Sequence, residues 1–546
     1  MSYDVLRGLY LGESANADLT DRSVRSRLHV TSPLDQLVPS IALQRCDLVL
    51  TGNPGDGKSH LVATLQDRGT LDGCDVVLDL SARSSASVID TWTTAVRAGR
   101  SLILCANEGP LRDFLAVAEA DPTVRSRASE LSTQLGRLTL TTADELPARP
   151  REAWLVDLAD RNVLDQNTVE QALKKVCDAD FLPSVGLRTT DSSVGRNLLL
   201  FGDSDECRRR FAHLLVHAGR RLDQHITFRQ LWACISYALT AGKSESTLSH
   251  ELDEGHIGLG TYPLDHLVKT RAKGALIEAV RRFADPVDVS MPDLDEDIWF
   301  RGEPRRGDWL FECPAVEPPE RLWARGERES ALSNFESLKR LVALAHEEGG
   351  SLLTLLDENM DSPDDIDDGN LRAAVVVGIR RCFLSAEHEP YAPSWLRGGT
   401  PLWIGHTYQD LPPADRPYVA VEALPEDAFA ILRPARVPWI GGALGRTLPV
   451  AWLVHERSGI RLRLDASFIG RLRQAAFTSG PIAPPDRVIR FLAMLAGWHE
   501  EQGAMQLGRD HFGVLNRPRE PLSAAANVLD LESGGSAYGG AEETRR

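Results

Sequence analysis

The stretch Leu48–Leu65, LVLTGNPGDGKSHLVATL, constrains the chain more than any other segment. Residues 47–51, DLVLT, are apolar and β-prone and read as a buried strand. GNPGDGKS follows and matches GxxxxGK[ST] from Gly52 to Ser59, and HLVATLQDRG reads as a helix ending near Gly69. Strand, glycine turn and helix are the context in which this pattern cradles phosphate. Gly52, Gly55 and Gly57 let the backbone turn and aim its N–H groups at phosphate oxygens, and the helix N-terminus adds favourable partial charge. Lys58 reaches the outer phosphates, and the Ser59 hydroxyl is placed to ligate Mg²⁺. The expected nucleotide contacts are Gly52, Asn53, Pro54, Gly55, Asp56, Gly57, Lys58, Ser59 and His60, with ATP as the ligand.

The residues after the loop repeat an alternation of strand and helix. Val76–Leu80 is a second apolar strand carrying Asp79, a second candidate for the Mg²⁺ shell beside Ser59. Leu102–Ala106 is a third, running into Asn107 and Glu108, and AWLVDLADRNVL is a fourth, with Asp157, Asp160 and Arg161 at its end. Such alternation predicts a parallel sheet covered on both faces, with the chemistry at the carboxyl ends of its strands. Hydrolysis needs an acid for Mg²⁺ and a group that orients water. The usual pattern ends in Asp-Glu, and here ILCANE puts Asn107 where Asp is expected. Glu108 is the candidate to orient water, and Asn107 to hydrogen-bond that water or the γ-phosphate. The alternative for Asp79 and Asp157 is a strand-end cap or turn residue.

A helical region from about residue 205 comes next, with Thr227 placed to cap FRQLWACISYAL. A helical lid after such a sheet commonly carries an arginine that reaches back to the γ-phosphate, and Arg229 is the candidate. Arg161 is read either as a finger acting across a subunit interface or as a salt-bridged loop residue. The CRRR run, Cys207–Arg210, reads as a solvated helix face. Further on, MPDLDEDIWFRGEPRRGDWLFECP reads as turn-rich, SALSNFESLKRLVALAHEEGGSLLTLLDE as a long helical pattern, and NMDSPDDIDDGN as an acidic loop whose spacing does not fit a Ca²⁺ site. Short β-like runs occupy 401 to about 465, two helices close that region, and the Gly/Ser/Ala-rich tail reads as disordered.

The expected fold class is therefore α/β: a P-loop NTPase (AAA+-like) parallel sheet with a helical lid, followed by a mixed α+β C-terminal region. The expected divisions are a core at 1–200, a lid at 201–290, a mostly helical middle at 291–400, a small α+β domain at 401–515 and a tail at 516–546. A length of 546 residues supports several cores. The net charge of −17 argues against a protein coated in nucleic-acid contacts. No apolar run is long enough for a membrane span, and the first residues do not read as a signal peptide. The eight cysteines form no CxxC pair and read as reduced thiols of a cytoplasmic protein.

Several stretches together resemble the DptF-type ATPase subunits of bacterial DNA phosphorothioation-dependent restriction systems. They are GNPGDGKSHL, ILCANEGPLRDFL, VDLADRNVL, HITFRQLW, SLKRLVALAHEE and LRLDASFIGRLRQAAFTSGPIAPPDRVIRFL, spread from Gly52 to about Leu492. The resemblance implies an ATPase without its own nuclease, in a multi-subunit anti-phage complex with helicase or nuclease partners. DNA would be engaged through the complex, and a homo-oligomer is compatible. It carries nucleotide contact onto Gly52–Ser59, and a catalytic role onto Glu108 and then Arg229. A DNA-modification role, a slowly hydrolysing regulatory switch and a P-loop kinase are the competing readings.

Overall fold

The computed structural model describes residues 3–11, 21–137, 149–178, 192–222, 224–254, 258–270, 272–311, 316–357, 363, 366–381, 402–404, 419–421, 426–433, 440, 442–444, 451–477, 485–501 and four two-residue pieces between 506 and 530. It divides into two compact units, one of residues 1–359 with 435–448, the other of 360–434 with 449–546.

The first unit is built on four parallel strands, β1 (Asp47–Thr51), β2 (Asp75–Val77), β3 (Leu102–Cys105) and β4 (Ala153–Asp157), in the order β2-β3-β1-β4. Among the described residues, its α-helices up to Thr240 are α1 (Tyr3–Leu11), α2 (Arg22–Leu28), α3 (Leu34–Leu43), α4 (Lys58–Asp67), α5 (Ser85–Arg97), α6 (Glu108–Ala118), α7 (Arg125–Arg137), α8 (Gln166–Cys177), α9 (Ser193–Asp203), α10 (Asp205–Arg221) and α11 (Phe228–Thr240). All five residues of β1 are buried because both faces are covered. Val49 packs toward α5, α6 and α7 with Trp92 and Phe114, whereas Leu48 and Leu50 pack toward α3 and α4 with Val38 and Leu61. The period-two alternation of side chains sorts a uniformly apolar strand into two cores.

One charge is sealed at the start of β1. Asp47 accepts hydrogen bonds from Trp92 Nε1 (2.6 Å), the backbone N–H of Leu102 (2.8 Å) and Arg127 Nη1 (2.8 Å). These donors make the buried carboxylate tolerable and tie β1 to β3, α5 and α7, although burial still raises its pKa.

Helices α8 to α11 and α1 share a separate apolar core. Tyr3 donates its hydroxyl to the Lys243 carbonyl (2.6 Å), and Ser236 donates to the Leu6 carbonyl (2.5 Å), so the N-terminal helix is fixed on α11. α11 starts with a full capping box between Thr227 and Gln230.

Several local expectations are corrected. Strand β2 ends at Val77, and Asp79 is the N-cap of a 3₁₀ turn, Leu80–Ala82, accepting from Ser81 N (2.8 Å). The CRRR run is not a solvated face: Arg208 and Arg210 are buried, donating to the carbonyls of Phe201 and of His346, and only Arg209 is exposed. The segment read as turn-rich opens with a helix, Pro292–Arg301, started by proline at its first position. The long pattern after 328 is two helices, Arg328–Ala345 and Gly349–Asp357. Its LKR residues are buried, and Arg340 is bonded to Asp285 (2.7 and 3.0 Å) and Asp265 (3.0 Å).

The second unit contains a three-stranded antiparallel sheet, Phe429–Leu432, Ala451–His455 and Arg461–Leu464, and a separate antiparallel pair, Leu402–Ile404 with Val419–Val421. Helices Asp368–Arg381, Ala466–Phe477 and Asp486–Glu501 pack on the three-stranded sheet through Val375, Leu472 and Phe491. Half of the acidic stretch 359–370, nearly all of the C-terminal tail, Cys313 and Cys382 lie outside the described residues. The six described cysteines are free thiols, and five are buried. No described helix is long and apolar enough to cross a membrane. The chain is thus an α/β protein with a four-stranded parallel sheet and a small antiparallel sheet.

Candidate functional site

The glycine loop Gly52–Gly57 joins β1 to α4 at the carboxyl edge of the parallel sheet, between the ends of β3 and β4. Gly52, Gly55 and Gly57 adopt φ of +130°, +99° and +89°, which L side chains seldom adopt. Space is short as well. A Cβ at Gly52 would stand 2.7 Å from Asp56 Oδ2 and 3.0 Å from the Ala159 nitrogen, and one at Gly55 would stand 3.0 Å from Arg229 Cβ.

Lys58 opens α4 and is buried. Its ammonium donates to Gly52 O (2.9 Å), Asn53 O (2.8 Å) and Asn107 Oδ1 (2.9 Å). All three acceptors are neutral oxygens, and no carboxylate among the described residues lies within ion-pair distance. Burial lowers its pKa, and the fields of Asp56, Asp157 and Asp79 oppose that shift. Asp56, within the loop, is also buried. It accepts from Asn53 N (2.6 Å) and pairs with His225 Nε2 (2.6 Å). Arg229 N donates to Gly55 O (3.2 Å), so the segment from His225 to Arg229 is bonded directly onto the loop.

A cavity of about 270 Å³ lies against this loop. Its walls include Gly55–Leu61, Leu78, Asp79, Asn107, Arg161, Arg229 and, on the facing side, Leu9, Leu28, His29, Val30, Phe228 and Trp232. That volume is just below the roughly 300–1,000 Å³ of pockets that hold small organic ligands. Of the sequence-derived candidates, Pro54, Gly55, Asp56, Gly57, Lys58, Ser59, His60, Asp79, Asn107, Arg161 and Arg229 meet here. Gly52 and Asn53 contribute through the carbonyls that hold Lys58.

Glu108 does not meet them. It is the first residue of α6, its side chain is 52% exposed, and its carboxylate accepts from Arg112 Nη2 at 2.6 Å. Its neighbour Asn107 is the side chain turned to the loop, so the third strand presents an amide there. Asp157 caps the turn after β4 by accepting from Ala159 N (3.0 Å), and burial raises its pKa. His60 stacks on His29, ring centroids 5.5 Å apart, and burial pushes it down to about 4, with His29 adding to the shift. It is neutral at pH 7.

Mg²⁺ takes few protein ligands, all oxygen, and completes its shell with water and phosphate. Ser59 and Asp79 fit that requirement. Both residues line the cavity; the Ser59 hydroxyl donates to the carbonyl of Leu78, the residue before Asp79 (2.6 Å), and the Asp79 carboxylate accepts from Ser81 N (2.8 Å). Among the described residues no group of three or more His, Cys, Asp or Glu could hold a metal by itself.

His29, His225, Phe228 and Trp232 are not legible as site residues in the sequence. They come from the chain before β1 and from α11 with its approach, and only the fold brings them together. Compared with known proteins, the chain matches no family model, no curated protein and no solved structure.

Proposed function

We propose that the cavity binds ATP and that the chain hydrolyses it slowly. The observation that carries this reading is Lys58. A buried ammonium at a helix N-terminus is held only by neutral oxygens, inside a loop whose glycines turn the backbone toward the same space. An ammonium bonded only to neutral oxygens lacks the attraction of a full opposite charge, which an anionic oxygen supplies. A phosphate oxygen is therefore a better partner for Lys58 than any it has. The loop's N–H groups and the start of α4 supply further donors to the same anion.

In this reading Leu9, Leu28 and Val30 form the apolar end that takes the base, and the loop takes the phosphates. Mg²⁺, when bound, would neutralise phosphate charge, with Ser59 and Asp79 as the residues to hold it. Hydrolysis forms a bond from the water oxygen to the γ-phosphorus and breaks the bond to the bridging oxygen, which leaves with ADP, while the water proton passes to a phosphate oxygen or to solvent. Asn107, whose Oδ1 accepts from Lys58, would hydrogen-bond that water or a γ-oxygen through its amide. An amide takes no proton, so Asn107 positions and does not act as a base. The outward turn of Glu108 favours a second reading on the same site, a nucleotide-dependent switch with very slow turnover.

The resemblance to DptF-type subunits extends the proposal to an ATPase subunit of a bacterial DNA restriction or modification complex. That extension rests on the resembling stretches alone. Turnover measured with and without duplex DNA tests both layers. DNA-stimulated phosphate release, lost in Lys58→Ala, supports the complex subunit; tight ATP binding without turnover supports the switch. Absence of ATP binding to the wild-type chain would overturn the reading altogether.

A further inference from the structure

Arg161 stands just after the turn at the end of β4, and its own N–H bonds the Leu158 carbonyl (3.1 Å). That turn abuts the glycine loop, since Ala159 N is an atom that a Cβ on Gly52 would meet. The residue is 9% exposed and lines the cavity. Its guanidinium carbon lies 4.8 Å from the centre of the Phe228 ring. The ring in turn lies 3.4 Å from where a Cβ of Gly57 would stand, at the start of α4.

Among the described residues no anion is bonded to Arg161. Among the described residues its side chain forms no ion pair and no hydrogen bond; the ring face is its one close partner. The acids whose fields reach it are Asp165, Asp35 and Asp56. Each is engaged elsewhere. Asp165 caps α8 through Thr168 N (3.0 Å), Asp35 is held by His29 (2.5 Å) and Arg68 (3.1 Å), and Asp56 by His225 and Asn53 N. A guanidinium stays charged in proteins and carries five donors, and a ring face accepts none of them in full. Burying such a group is unfavourable unless an acceptor arrives. The space it faces is the cavity that Lys58 also faces.

We infer that Arg161 is a receptor for the phosphate chain of the nucleotide bound to its own chain, braced on Phe228. The inference rests on the nucleotide reading above. It replaces a finger reaching a neighbouring subunit with a residue acting in cis, because Arg161 lines the cavity of its own chain, its guanidinium against the lining ring of Phe228. A planar fork matches two oxygens of one phosphate, which a lysine does not reproduce. Arg229 also lines the cavity, but it is exposed.

The test is calorimetric binding of ADP and ATP to the full chain and to Arg161→Gln, Arg161→Lys and Phe228→Leu, each checked for folding by thermal melting. Arg161→Gln is expected to lose at least tenfold in affinity for both nucleotides. Arg161→Lys should recover part of that loss, and Phe228→Leu should lose about threefold. Mixing Arg161→Gln with Lys58→Ala should restore no turnover. If a folded Arg161→Gln binds ADP as the wild type does while Lys58→Ala does not, the inference fails and the nucleotide site stands. Turnover restored on mixing would overturn the cis role. If the wild-type chain binds neither nucleotide, the reading beneath the inference goes, and the inference with it.

Discussion

The two walls of the cavity are made in opposite ways. One wall is built on a contiguous stretch, Pro54–Leu61, in which the loop runs directly into α4, with Leu78, Asp79, Asn107 and Arg161 added from the neighbouring strand ends. The facing wall joins Leu9 and Leu28–Val30 to Phe228 and Trp232, about 200 residues further along the chain. The first wall presents backbone N–H groups and one ammonium, so its chemistry is fixed by local geometry. The second presents rings and aliphatic groups, and its position depends on tertiary packing of α1 on α11. A phosphate site can thus be written in one short stretch, whereas the surface that shapes the rest of a ligand must be assembled by the fold. The two are joined by Asp56 with His225, Gly55 with Arg229, His60 stacked on His29, and Phe228 against Gly57.

That contrast sets the expected order of damage. Lys58→Ala removes the charge of the contiguous wall and should cost about 2–4 kcal/mol of ATP binding, a loss of roughly 30- to 1,000-fold, read by calorimetry together with loss of phosphate release. Gly55→Ala attacks the junction of the walls. Its φ of +99° and the 3.0 Å approach to Arg229 Cβ are the reason. The cost should be about 1–3 kcal/mol, seen as a lower Tm and about tenfold weaker ATP binding. If Gly55→Ala leaves both unchanged, the walls are less tightly coupled than their hydrogen bonds indicate. Asn107→Ala should slow turnover by about tenfold and change ATP affinity by less than about threefold, since the hydrogen bond it removes, worth about 1 kcal/mol, would act chiefly on the attacking water. A matched fall in affinity and turnover would assign Asn107 to binding alone. Glu108→Gln should stay within about twofold of wild type in both, because an exposed i,i+4 pair is worth a few tenths of a kcal/mol. A block of turnover in that variant would restore Glu108 as the group that orients water.

The same contrast explains what the sequence discloses. The alternation of apolar runs identifies all four parallel strands, because strands covered on both faces read as uninterrupted apolar segments. It does not disclose strand order, which brings Asn107 beside Lys58. At the end of the third strand, two adjacent polar residues are equally good candidates. The start of α6 between them decides which turns inward, and nothing in ILCANE encodes that choice. Asp79 reads as a strand residue because Leu78 and Leu80 flank it, yet its carboxylate bonds Ser81 N two residues on, and that local bond favours a turn. Arg208 and Arg210 read as solvated because charge runs generally are. Carbonyls at the end of α9 and at His346 take donors there, and arginine reaches them from within a core. His225 gives no signal, since its role depends on a carboxylate 169 positions earlier.

The cavity against Gly52–Lys58 is proposed to take the phosphates of a nucleotide. The most direct test is a calorimetric titration of the full chain with ATP and with adenosine, in parallel, with Mg²⁺ present. One ATP per chain is expected, bound at least tenfold more tightly than adenosine, with that difference abolished in Lys58→Ala. Equal affinities for ATP and adenosine, or no saturable ATP binding, would contradict it.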